Sequence, residues 1–182
     1  MISKIALTIL CLISTITLSL SQEYIQLAHG LSWKYKLQNG YLSIEVLKGK
    51  FKFENHEYFG LTRTYSWGLR DTLYSRIDSV GNQVDFNPTT RQEHLSVPKN
   101  FSLNDTWTTD DGSWQHQIYS THERLVTPSK TFEDCLVIQA IDLRKKKRSL
   151  YLHYFVRGVG FVGSKKSQEL TLYLIDYTQN NN

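Results

Sequence analysis

Helical patterning is what this 182-residue chain lacks most. No stretch longer than about ten residues carries apolar side chains at three- and four-residue spacing, which excludes helical bundles and helix-covered sheets. Cysteine is nearly absent as well. Of the two, Cys11 falls in an apolar leader and only Cys135 remains, so no internal disulfide is available and stability must come from packing. Within Cys135-Leu136-Val137-Ile138 that thiol reads as a small buried hydrophobe. The three prolines, Pro88, Pro98 and Pro128, each stand where a β-forming run stops.

Chemistry-bearing motifs are missing too. The six histidines, His29, His56, His94, His116, His122 and His153, show no H-x-H, H-E-x-x-H or Cys-His spacing, so no metal site is expected. No serine sits in G-x-S-x-G, and no glycine-rich loop leads into a helix, so neither a nucleophile elbow nor a phosphate cradle is expected. Asp110-Asp111-Gly112 reads as a turn rather than an acid pair. Arg76 and Asp78, on one face with Tyr74, read as a surface ion pair. No enzyme, cofactor or metal is expected from these residues.

One long apolar run is present, from Ile5 to Leu20, behind Lys4 and ahead of Ser19-Leu20-Ser21. A positive start, a hydrophobic stretch and a small-x-small site make residues 1–21 a secretory signal peptide. Bulky Leu10 before Cys11 argues against a lipid anchor. Residues 22–182 are then one β-rich domain, periplasmic or extracellular, not membrane-spanning, with no nucleic acid expected as partner. The net charge of +4 owes its sign to one run, Arg144-Lys145-Lys146-Lys147-Arg148, which joins two strands and is a candidate contact for anionic lipid headgroups.

What fills the domain is period-two patterning. Leu31, Trp33, Tyr35 and Leu37 alternate with Ser32, Lys34, Lys36 and Gln38, and Asn39-Gly40 follows as a type I′ hairpin signal. Pairing Gln38 with Tyr41 would set Leu37 opposite Leu42, Tyr35 opposite Ile44 and Trp33 opposite Val46. Asp78-Ser79-Val80-Gly81 has the residues of a type I turn. Between Ser149 and Tyr177, two runs around Gly158-Val159-Gly160 are apolar on both faces and need cover on both. The expectation is an all-β fold: a single antiparallel meander of about ten strands in a strongly curved sheet, whether half-barrel, open barrel or sandwich.

The punctuating residues run in a familiar order. They are Gly30-Leu31-Ser32-Trp33-Lys34-Tyr35, Tyr74-Ser75-Arg76-Ile77-Asp78 with Gly81-Asn82, Asn104-Asp105-Thr106-Trp107, Thr127-Pro128 with Phe132-Glu133-Asp134-Cys135-Leu136, and Tyr154 with Gly158-Val159-Gly160-Phe161-Val162. This pattern resembles uncharacterised exported β-rich domains of Gram-negative bacteria and, loosely, the TapB-like domains. The family pattern has glycine at Asn104 and Ala-Gly at Ser129-Lys130. The resemblance implies an exported β-rich domain and no activity.

With no helix to shield them, the C-terminal strands must be closed by curvature, a partner subunit or a bound apolar molecule. The function expected from this is a non-enzymatic binding domain of the cell envelope, for a lipid-like or other apolar ligand. An adaptor that docks an envelope protein through a sheet edge is the alternative, and a hydrolase without a recognised motif comes third.

Overall fold

The computed structural model describes Tyr24, residues 26–144 and residues 148–178. The signal peptide expected at 1–21, Lys145, Lys146, Lys147 and the C-terminal asparagines lie outside the described residues. Among those described there are thirteen strands and no helix. The strands are β1 (Ser32–Leu37), β2 (Gly40–Val46), β3 (Phe51–Phe53), β4 (His56–Tyr65), β5 (Arg70–Ile77), β6 (Gln83–Asn87), β7 (Gln92–Val97), β8 (Thr106–Thr108), β9 (Trp114–Val126), β10 (Thr131–Asp142), β11 (Leu150–Val156), β12 (Gly160–Lys166) and β13 (Glu169–Thr178).

All form one antiparallel sheet in the order β7-β6-β5-β4-β2-β1-β13-β12-β11-β10-β9-β8, with β3 paired to β4. Neighbours in sequence are mostly neighbours in the sheet, as a meander requires. The exception is decisive: β1 pairs with β13, Ser32 opposite Thr178 and Leu37 opposite Leu172, so the two ends of the domain are sewn together. The sheet is therefore nearly closed into a barrel, and its one gap lies between consecutive strands β7 and β8. Across that seam the Trp107 indole Nε1 donates to the Leu95 carbonyl at 3.1 Å.

Closure covers the two C-terminal runs in part: Leu152, Tyr154 and Leu174 are buried and Tyr151, His153 and Phe155 half-buried, but Ile175 of β13 is 37% exposed. The fullest two-sided burial is in β10. Cys135, Leu136, Val137 and Ile138 are each no more than 2% exposed, although successive residues of a strand point to opposite faces. Cys135 and Val137 pack with Leu125, Phe132, Leu152, Tyr154 and Val162. Leu136 and Ile138 pack with Tyr24, Val97 and Ile118, flanked by Phe101, Trp107 and Phe155. Burial raises the Cys135 thiol to about 11, which leaves it protonated and inert at neutral pH.

The first hairpin keeps its expected faces but not its register. Leu37 pairs with Gly40, Tyr35 with Leu42 and Trp33 with Ile44, a shift of two residues, so every side chain stays on its own side of the sheet. The reason is local. Gly40 carries a positive φ of 129° and Asn39 does not, so the turn is centred on Gln38 and Asn39 and no type I′ turn forms. A second hairpin tip selects this arrangement: Ser66 N–H donates to the Tyr41 carbonyl, Tyr41 N–H donates to Ser66 Oγ, and Ser66 leaves no room for a Cβ on Gly40.

A two-residue turn with positive φ at both positions occurs elsewhere, at Ser167 (49°) and Gln168 (75°), between paired Lys166 and Glu169. Neither residue favours that conformation, which costs non-glycine side chains about 1 kcal/mol. Replacing both (S167N/Q168G) is therefore expected to stabilise the domain by about 1 kcal/mol, raising its melting temperature by roughly 2–4 °C. A lowered melting temperature would show that the present side chains make contacts worth more than the turn.

β12 is a strand that the run Gly160-Phe161-Val162-Gly163-Ser164-Lys165-Lys166 does not announce. Its upper half, Gly160 to Val162, has no ladder partner in β13. Aromatic side chains of β1 and β13 reach across to this part of the chain. Trp33 Nε1 donates to the Val159 carbonyl at 2.9 Å, Tyr35 Oη to Phe161 at 3.0 Å and Tyr177 Oη to Gly158 at 3.2 Å. These aromatics thus serve the core and the backbone at once.

Candidate functional site

The seam between β7 and β8 is also the site. Antiparallel pairing sets His116 of β9 opposite Ala140 of β10, Ala140 opposite Tyr151 of β11, and Ile138 opposite His153. Residues two apart on a strand share a face, so Trp114 joins His116 and Tyr151 joins His153. From the other side of the seam β7 contributes His94. Together with Thr109 these residues line a cavity of about 360 Å³.

Its walls are aromatic. Trp107 stacks on His116 with centroids 5.3 Å apart, Trp114 meets Tyr151 at 5.8 Å, and Tyr151 lies parallel to His153 at 6.2 Å. His153 in turn meets the edge of Phe161 at 5.9 Å. Burial depresses His116 to about 4, with His94 adding to the effect. His153 also falls to about 4, by burial and then by the neighbouring His116. Both imidazoles are neutral at pH 7, each offering one donor and one acceptor inside an otherwise apolar wall.

The cavity opens on a polar vestibule of about 240 Å³, which shares His94, Thr109 and Trp114 with it and adds Glu93, Asp111 and Arg144. Arg144 is held rather than free. Its guanidinium makes two bonds to the buried Asp142, at 2.9 and 3.1 Å, and sits 5.5 Å above the Trp114 ring. Thus one member of the basic run belongs to the cleft mouth. Arg148 is exposed in the same loop.

Asp111 is turned inward on its own loop, accepting from Thr109 Oγ1, Ser113 N–H and Ser113 Oγ, which hold it at about 2. The Asp110-Asp111-Gly112 segment is accordingly a turn, closed by Gly112 N–H to Thr109 O at 2.7 Å. Arg76 does not pair with Asp78. It makes two bonds to Glu93, at 2.5 and 2.7 Å, and Glu93 also accepts from Tyr58 Oη at 2.6 Å. Arg76 is the main reason Glu93 lies below the usual carboxylate range. Asp78 instead accepts from Val80 and Asn82 in the type I turn that its sequence specifies.

Ser75, Asp85 and His94 follow one another across β5, β6 and β7. The order is wrong for nucleophilic catalysis: Ser75 Oγ donates straight to Asp85, and the carboxylate rather than an imidazole touches the hydroxyl. Among the described residues no group of three His, Cys, Asp or Glu side chains is placed to hold a metal. The three histidines of the cleft were invisible to spacing rules because the sheet, not the local sequence, brings residues 94, 116 and 153 together.

These features define a class: an all-antiparallel, nearly closed β-barrel domain with a histidine- and aromatic-lined cleft at its one open seam. The sequence matches no family model and none of the curated proteins compared with it. The fold, however, has solved counterparts. A protein of Bacteroides fragilis described as exported and as having a YmcC-like fold superposes with a TM-score of 0.53 at 11% identity, over 85% of this chain and 98% of that one. A protein of Parabacteroides distasonis described as a lipoprotein superposes with a TM-score of 0.50 at 12% identity, again over 85% and 98%. At such identity the likeness is one of fold alone. Neither description indicates an enzyme family.

Proposed function

We propose that the protein is an exported, non-enzymatic binding domain of the cell envelope, and that its ligand enters the seam cleft. The observation carrying this reading is the cavity of about 360 Å³ between β7 and β9–β11, walled by Trp114, Tyr151 and two neutral histidines. Its volume falls in the range of small-molecule sites, roughly 300–1,000 Å³. Its chemistry suits an apolar or ring-bearing body with a polar end, the body against the aromatics and the polar end toward Arg144. Export is supported by the leader at residues 1–21 and by the descriptions of the two structural counterparts. The likeness to TapB-like domains rests on the five motifs alone.

The adaptor reading needs a free sheet edge. Both ends of the strand order face the seam, where Trp107 already bridges to Leu95, and the further edge at β3, paired to β4 alone, is three residues long, which favours the cleft. A Ser-His-Asp arrangement is disfavoured by the Ser75–Asp85 pairing, which puts the carboxylate rather than an imidazole on the hydroxyl.

Ala140, 1% exposed, lines the cleft. Ala140→Leu fills that wall, and an apolar anionic dye such as anilinonaphthalene sulfonate is expected to bind the wild type and to bind this variant about tenfold more weakly. Tyr119→Ser, at an exposed site away from the cleft, serves as control. Equal dye affinity in wild type and Ala140→Leu would remove the cleft as the binding site.

A further inference from the structure

A second surface lies apart from the cleft lining. The tips of the β1–β2 and β4–β5 hairpins are fastened to each other by the two bonds between Tyr41 and Ser66. On this paired tip three large apolar side chains face solvent: Trp67 at 57% exposure, Leu69 at 52% and Tyr41 at 42%. Tyr65 braces Trp67 from below, with ring centroids 4.8 Å apart. A soluble domain of this size gains nothing by leaving a tryptophan and a leucine exposed on one short turn.

The charges around the patch have one prevailing sign. Lys36 Nζ lies 4.5 Å and Lys34 Nζ 5.3 Å from the centre of the Tyr41 ring. Arg70 begins β5 and is exposed. Of the acids in these two hairpins, Asp71, the one near the tip, is taken by Arg63 through bonds of 2.7 and 2.8 Å, while Glu45 and Glu57 stand toward the far ends of β2 and β4. Asp176 stands opposite Lys34 on β13, which leaves Lys36 and Arg70 as the freer cations.

We infer that this paired tip seats the domain on an anionic lipid surface, with Trp67 and Leu69 entering the headgroup boundary and Lys34, Lys36 and Arg70 meeting lipid phosphates. Interfacial tryptophan, a neighbouring aliphatic side chain and flanking lysines form the combination that such surfaces select. Connections after β1, β4 and β10 all leave from the same end of the antiparallel sheet, so Arg148 belongs to that end too. The acids Asp110 and Asp111 at this end belong to the β8–β9 turn, across the seam from β4 and β5.

The test uses the protein purified after export, with phosphatidylcholine vesicles prepared with and without phosphatidylglycerol. Wild type is expected to co-sediment with the anionic vesicles and to be released by salt. W67S/L69S, changed only at exposed positions, should keep its melting temperature and bind about tenfold more weakly. K34E/K36E should lose about tenfold or more on anionic vesicles and nothing on neutral ones. Trp67→Phe should still bind while losing the quenching of tryptophan fluorescence by brominated lipid. Co-sedimentation unaffected by W67S/L69S, or no binding by wild type, overturns the assignment. So would a dimer that W67S/L69S dissolves in the absence of vesicle binding, because the patch would then be a protein interface.

Discussion

Gly163→Val is expected to destabilise the domain by about 3 kcal/mol, the scale of overpacking in a well-filled core. A Cβ built on Gly163 would lie 2.7 Å from a Leu125 methyl, 3.0 Å from the Leu172 carbonyl oxygen and 3.5 Å from the Tyr173 Cα. Two of those three neighbours are backbone of β13 and cannot turn away. Leu125 is 0% exposed and belongs to the end of β9, whose hairpin with β10 leans over β12 and β13. Ser129, in the same hairpin turn, donates to the Leu174 carbonyl at 3.4 Å, which fixes how closely it sits. The absence of a side chain at 163 therefore sets the distance between two parts of one sheet.

The contact makes the prediction specific. Leu125→Ala alone should cost about 3 kcal/mol through the cavity it leaves. Combined with Gly163→Val it should cost less than the sum, by about 1–2 kcal/mol, because the new valine occupies part of the space vacated. Urea unfolding of the four proteins measures this. Strict additivity would mean that Gly163 acts through the β13 backbone alone and that the hairpin does not rest on it.

The same glycine shows why part of the fold was legible and part was not. Period-two alternation is a local property, so the strands of residues 31–37 and 114–126 could be read directly, as could the turn at Asp78. Two-sided burial was legible in part: residues 151–156, apolar on both faces, are buried or half-buried, whereas the run at 170–177 turns Ile175 to solvent. What closes the sheet is non-local. β12 carries two glycines and two lysines, and its strand character comes from Tyr24, Leu125 and the aromatics of β1 and β13 packing around it. The Asn39-Gly40 pair has the residues of a type I′ turn, yet Ser66, 26 residues from Gly40, decides otherwise. The cleft was hidden for a like reason: His94, His116 and His153 sit on three strands whose adjacency depends on the seam between β7 and β8. One sign was available in hindsight, since His153 falls between Tyr151 and Phe155 on a strand face that is otherwise aromatic.

Acidification should expose that cleft in the stability of the whole domain, with a loss of about 4 kcal/mol between pH 7 and pH 4.5. His116 and His153 are both depressed from 6.5 to about 4, chiefly by burial. In the unfolded chain each takes up a proton as pH falls through 6.5, while in the folded protein each stays neutral until about 4. The unfolded state thus binds more protons throughout this window, so stability falls as pH falls, and the loss levels off below about 4, where both states are protonated. Both rings are partly exposed, so water screens part of the effect and holds the loss near about 4 kcal/mol. The groups facing them are His94 from β7, Tyr151 from β11 and, at the mouth, Arg144. The carboxylates held low by their partners, Glu93 and Asp78 among them, lose their own contribution only below the ordinary carboxylate range, so the upper part of the window belongs to the histidines. Urea unfolding at half-unit steps from pH 7 to 4.5 should show this slope, and His153→Phe should remove about half of it while leaving the neutral-pH fold intact. A flat profile above pH 5 would mean that water reaches both rings and that the cleft is not the dry aromatic slot on which the binding proposal rests.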